Sequence, residues 1–182
     1  MNNVVLLPGA SLPAVAPERA NLYAVANRII AFGEFQAGPG MPPMSPRRIQ
    51  TLTYLAYGHH LVAHLHPLCR AAPEAWRDGP GFGELAYALH TYGEAAVVRE
   101  IAGPRGVDAL PAGPARRLVD RVCLAYAHRS PGDLAVLVKG RARAWSQTLA
   151  AHPEGTPIPV ERIRADFLAL DLPDESGPTP DL

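Results

Sequence analysis

Two cysteines, no net charge and no apolar run of bilayer length set the first limits on this 182-residue chain. An isolated pair, Cys69 and Cys123, inside or beside apolar helical segments fits two reduced, buried thiols better than a disulfide scaffold. Seventeen basic and seventeen acidic residues cancel, so the overall balance argues for neither a nucleic-acid backbone nor an anionic membrane as main partner. No apolar segment reaches the ~20 residues that a spanning helix needs. No Lys or Arg precedes Arg19 to form the basic region of a secretory signal, and the chain is read as a soluble, cytoplasmic protein without a membrane partner. Neither G-x-x-x-x-G-K-[ST] nor G-x-G-x-x-G occurs, which removes the common phosphate-cradling loops. Phosphate-handling and nicotinamide cofactors drop out with them, and no cofactor is expected.

What is present is helical periodicity broken by twenty prolines and sixteen glycines. A chain of this length is most simply one domain with a sizeable core. Residues 1–16 read as a flexible leader, 17–170 as the helical domain and 171–182 as a disordered acidic tail. Leu22, Val25, Ala26 and Ile29 predict a first helix over 17–32, with Pro17 in its first turn. Gly33 to Met44 is a Gly/Pro loop. Ser45, followed by Pro46, is a strong helix start, and the helix it opens runs to about Leu65, where Pro67 ends it. The span 68–80 is short and irregular with one or two extended residues, and Gly79-Pro80 turns the chain into a helix over 82–92. Residues 94–115 stay open, Val97-Val98 reading equally as strand or helix extension. Leu118, Val119, Val122, Cys123 and Tyr126 make a fourth helix. Ser130-Pro131-Gly132-Asp133 caps another that Gly140 closes, a short helical segment follows at 145–150, and Val160, Ile163 and Phe167 give the last. The fold class is mainly α, one compact domain of about six helices with at most a minor β element.

The chemistry-bearing residues are few. Gln50, Tyr54, Tyr57 and Leu61, spaced i, i+4, i+7, i+11, share one stripe of the long helix. Gln50 is either a structural amide tied to a neighbouring backbone or a partner contact, since burying it unpaired would cost about 1–3 kcal/mol. Tyr54, Tyr57 and Trp76 are aromatics with polar tips, suited to finishing a core or to anchoring an interface. His60 and His64, one helical turn apart with His59, His66 and Cys69 nearby, have metal-ligand spacing, but the run holds no carboxylate and lacks H-E-x-x-H. Cys123 and His128 sit on different faces, and the carboxylates Glu84, Glu94, Asp108 and Asp120 form no recognisable pair. Neither arrangement calls for an enzyme. Arginine pairs at 47/48, 116/117, 141/143 and 162/164 would need folding onto one side to bind nucleic acid.

In order along the chain, Gln50-x-x-x-Tyr54-x-x-Tyr57-Gly58-x-x-Leu61, Pro67-Leu68, Glu74-Ala75-Trp76, Gly79-Pro80 and a helix ending Tyr92-Gly93 resemble the Panacea domain, the family of SocA-like antitoxins that includes phage-associated GepA proteins. The later run of Leu118 to Tyr126, Asp133-Leu134, Trp145, Ile158, Ile163 and Phe167 follows the family's order, so the resemblance covers about residues 20–170. Thr51, Asp78-Gly79-Pro80-Gly81 and Tyr126-Ala127 depart from its usual pattern. The resemblance implies a helical, non-catalytic protein that neutralises a cognate toxin by direct contact, in a toxin-antitoxin or phage-defence module. The alternatives are an adaptor that delivers the toxin to a AAA+ protease, with the acidic tail as tether, and, in a different class, a DNA-binding autoregulator. The expected partner surface is Gln50, Tyr54, Tyr57, Trp76, Gly79 and Pro80.

Overall fold

Cap chemistry decides where the helices begin in the computed structural model, which describes residues 19–38, 40–140 and 143–172. Helix α1 spans Leu22–Phe35, opened by the Asn21 side chain, which accepts from the N–H groups of Tyr23 and Ala24. It therefore starts five residues later than Pro17 predicts, and it runs three residues past Phe32. Gly33 does not end it. A β-carbon there would sit 2.2 Å from the Met44 side chain, so the glycine is where α1 admits the residue that leads into the next helix. Helix α2, Pro46–His64, starts as the sequence predicts, with Ser45 capping Arg48. It ends at Leu65, held in the left-handed region at φ 60° with its N–H on the Leu61 carbonyl.

Beyond α2 the chain makes a small hairpin of β1, Glu74–Trp76, and β2, Gly79–Gly81, to which β3, Thr156–Pro157, adds on the far side in the order β2-β1-β3, all antiparallel. The turn lies at Arg77-Asp78, between the paired Trp76 and Gly79, two residues before the Gly79-Pro80 position that the sequence indicated. Gly79 supplies a backbone at φ 134°, and Pro80, opposite Ala75, stands on an edge strand, where a missing N–H is tolerated. Helix α3, Gly83–Leu89, continues into a 3-10 turn at His90–Tyr92. Then come α4, Pro114–Tyr126, α5, Pro131–Lys139, α6, Ala144–Ala151, and α7, Val160–Leu168. Ser130 caps α5 through the Asp133 N–H and donates to the Asp133 carboxylate at 2.6 Å. Gly140 follows α5 at φ −53°, so it closes the helix without the left-handed turn usual for a glycine cap.

The architecture is mainly α, with α2 at its centre against α1, α4, α5, α7 and the hairpin. Gly58 makes the approach of α7 possible: a β-carbon there would lie 2.3–2.4 Å from three atoms of the Phe167 ring. Buried polar residues tie the outer elements to this core. Arg28 pairs with Asp120 of α4 through Nε at 2.5 Å and Nη2 at 2.9 Å. Asn27 takes the Ile101 N–H at 2.8 Å and returns its own amide to the carbonyls of Ile101 at 3.0 Å and Asp108 at 3.2 Å. That one side chain organises the 94–115 segment. Val97-Val98 is neither strand nor helix there; Val97 is buried and its N–H reaches the Met44 carbonyl. Of the terminal assignments, 1–16 and 173–182 lie outside the described residues, while Leu170 and Leu172 pack against the core.

Candidate functional site

About three turns of α2 carry the predicted stripe, and the structure divides it by depth. Tyr54 and Tyr57 are 1% and 2% exposed. Tyr54 meets the edge of Phe167 at 5.6 Å between ring centres, and Tyr57 that of Phe82 at 5.9 Å, both favourable edge-to-face packings. Burial pushes the Tyr54 phenol well above its usual range, with the Asp166 charge adding to it, and the Tyr57 phenol up to about 12. These two side chains are core, not surface. As partner contacts they are corrected here, because the face of α2 that bears them is the one α3 and α7 cover.

Gln50 stands at the margin. Its Nε2 donates to the Phe82 carbonyl at 3.0 Å and its Oε1 accepts the Phe82 N–H at 2.9 Å. The amide thus completes a two-way backbone pairing at the entry to α3, and its role is structural. Gly81 lies so close that a β-carbon would meet Gln50 Oε1 at 3.1 Å. Trp76 is the outward member, 40% exposed. Its indole N–H donates to Glu74 at 3.0 Å, its carbonyl accepts the Trp145 indole N–H at 2.8 Å, and its ring covers Gly155. The indole is therefore held in one place before any partner arrives. Gly79 is half-buried under the Lys139 side chain and Pro80 is buried.

Gln50, Trp76, Gly79 and Pro80 come together as walls of one groove of about 260 Å³, completed by Pro46 and Arg47 among others. At its rim Arg47 donates to the Asp78 carboxylate at 3.1 Å and to its carbonyl at 2.9 Å. Both partners are well exposed, so this pair orients the rim and adds little stability. The groove is mixed in character: an indole and prolines for area, with an amide, a threonine and an ion pair for direction. Small, rigid and edged by polar groups, it suits a protruding side chain of another protein better than a small molecule, whose pockets are usually about 300–1,000 Å³.

The histidines occupy a different part of α2. His60 is buried, and its Nδ1 meets the His66 carbonyl at 2.9 Å, which puts the proton on that nitrogen because a carbonyl only accepts. Its ring centre lies 4.4 Å from that of His64 and 4.9 Å from that of His66. The three border a groove of about 640 Å³ that also takes in Arg19, Arg105 and Asp108 and none of the six predicted contacts. Among the described residues no three His, Cys, Asp or Glu side chains are grouped so as to hold a metal ion. Burial lowers His60 to about 4, with the neighbouring imidazoles adding to the shift and the His66 carbonyl opposing it. His59 falls to about 4 through burial and then the Arg121 charge; it bonds the Tyr126 hydroxyl at 3.0 Å and lies edge-on to Phe167. Both cysteines are free and buried, and burial raises both thiols, Cys69 to about 12. That is the opposite of what a nucleophile needs. The arginine pair 47/48 is split by folding, Arg47 at the surface and Arg48 in the interior.

Asn27, Arg28 and Asp120 were not among the predicted contacts, yet they tie α1 to α4 and to the 94–115 segment. Their only trace in the sequence is an Asn-Arg step inside the otherwise apolar run of α1. Compared with protein-family models, with curated proteins and with solved structures, the chain has no match in any of the three. Among the described residues no helix is long and apolar enough to cross a membrane.

Proposed function

We propose that this chain is the antitoxin of a toxin-antitoxin or phage-defence module and neutralises its toxin by direct protein contact. The observation that carries the reading is the exposed, pre-positioned Trp76 beside the Gln50–Pro80 groove. It lies within the ordered series of residues that resembles the SocA-like antitoxins. A tryptophan fixed by its own hydrogen bonds loses little entropy on docking and is the residue type most enriched among interface hot spots. The cognate toxin would contact the Trp76 edge of the hairpin and insert a side chain into the groove.

Co-expression with the product of the adjacent gene tests this. Growth arrest by that product alone, relieved when this chain is present and accompanied by a stable complex on size exclusion, is the expected outcome. A neighbour that is harmless, or toxic but neither bound nor relieved, would sink the reading.

A further inference from the structure

The C-terminal end of α2 gathers three imidazoles that keep nitrogens free of any protein partner. Leu65, in the left-handed region, turns the chain so that the His66 carbonyl takes the Nδ1–H of His60 at 2.9 Å. The His66 ring is held in the same way, its Nδ1–H on the Pro67 carbonyl at 3.2 Å. In both rings the proton sits on Nδ1, and the Nε2 lone pair is left over. His64 makes no hydrogen bond among the described residues. These nitrogens are not sealed in. Among the described residues, the side-chain nitrogen and oxygen atoms that are both buried and unpartnered belong to Arg48 and Tyr54. The free nitrogens of His60, His64 and His66 are therefore accessible, on rings that all border the groove of about 640 Å³.

An imidazole held by one N–H on a backbone carbonyl, with its other nitrogen free, is the arrangement that metal-ligating histidines almost always adopt. His60 and His64 stand one turn apart on one face of α2, with ring centres 4.4 Å apart. Two rings sharing one ion at a metal–nitrogen distance of about 2.0–2.1 Å have centres roughly 4.5–5 Å apart when the angle at the metal is about 90–105°. The pair meets that spacing. His66 lies 4.9 Å from His60 but 6.1 Å from His64. That is too wide for all three to close on one ion, in keeping with the lack of any three-residue metal cluster among the described residues. The part His66 plays is the carbonyl that orients His60. Charge favours a cation here: the negative end of α2 lies at this point, and Asp108 stands on the groove wall. Arg19 and Arg105 oppose it, but both are exposed, where salt screens them.

We propose that His60 and His64 form a two-imidazole chelate for a divalent transition-metal ion of the kind imidazole favours, with water in the remaining positions. It does not depend on the antitoxin reading. Calorimetric titration of the full, untagged chain with zinc chloride should show one saturable site, and zinc should raise the thermal midpoint in a way that EDTA reverses. Magnesium chloride should do neither, because magnesium takes oxygen ligands. His64→Ala and the ring-bearing His64→Phe should each weaken zinc binding about tenfold or more. Their midpoints in EDTA should stay close to that of the parent chain, since the His64 ring is half-buried and holds no hydrogen bond. His66→Ala keeps the orienting carbonyl and should bind zinc nearly as the parent does. The absence of a saturable zinc site overturns the proposal. So does a site that survives both His64 variants, which means that zinc is held elsewhere, and so does one that His66→Ala abolishes as well, which means a different set of ligands.

Discussion

The Gln50 amide acts on stability through what it leaves behind when removed. Phe82 is buried; its N–H bonds to the Gln50 Oε1, and its carbonyl accepts both the Gln50 Nε2 and the Ala86 N–H that opens α3. In Gln50→Ala the Phe82 N–H would be orphaned at the mouth of the groove while its carbonyl keeps the Ala86 N–H, at a cost of about 1–3 kcal/mol. Urea unfolding should show a lower midpoint with an unchanged slope, as expected when stability alone changes. His59 and His60 act through protonation. Their folded-state values, about 4 each, lie below the ordinary value near 6.5. The unfolded chain therefore binds more protons between pH 6.5 and 4, and stability rises with pH in that window. The stabilisation is fully present above pH 6.5 and is lost as pH falls toward 4. Urea midpoints measured from pH 7 to 4.5 should drop steadily, and His59→Asn with His60→Asn should flatten the profile even if the starting stability is lower.

Between elements, the contact of α2 with α7 rests on an absence of atoms. A methyl at position 58 would overlap an aromatic ring, which cannot fold away as a flexible side chain does. Gly58→Ala should cost about 1–3 kcal/mol by overpacking despite alanine's better helix propensity. Phe167→Leu should recover part of that loss in the double variant, and a coupling energy measured by the double-mutant cycle locates the effect at this contact. The elements themselves were legible wherever the signal was local. Ser45-Pro46 and Ser130-Pro131-Gly132-Asp133 announce helix starts because a cap is satisfied within three residues, and α2, α4, α5 and α7 follow from apolar spacing. What escaped reading is non-local. Asn27 reaches Ile101 across 74 residues, and Gly58 waits for a ring from α7. Nothing near either position says so. Gly79-Pro80 signals a turn but sits in a strand, because pairing with β1 places the reversal at Arg77-Asp78. The candidate site was legible in part for the same reason: Trp76, Gly79 and Pro80 are neighbours in sequence. Depth, which separates Trp76 from Tyr54 and Tyr57, is a property of packing.

For the molecule as a whole, the division between frame and surface separates binding from folding. Trp76 projects from the hairpin, while Tyr57 lies in the cluster that joins α2 to α3. Trp76→Asp removes an exposed indole and places a charge beside Glu74 and the groove, where a docking partner would have to desolvate it. It should leave the helical circular dichroism and thermal midpoint close to those of the parent chain while abolishing relief of toxicity and complex formation. Tyr57→Ala opens a cavity beside Phe82 at a cost of about 3–5 kcal/mol. Helical signal, midpoint and relief should then fall together. The two variants measured side by side separate a surface from a core. If Trp76→Asp also unfolds the chain, the hairpin is part of the frame. If it folds and still relieves toxicity, the toxin docks elsewhere on the molecule.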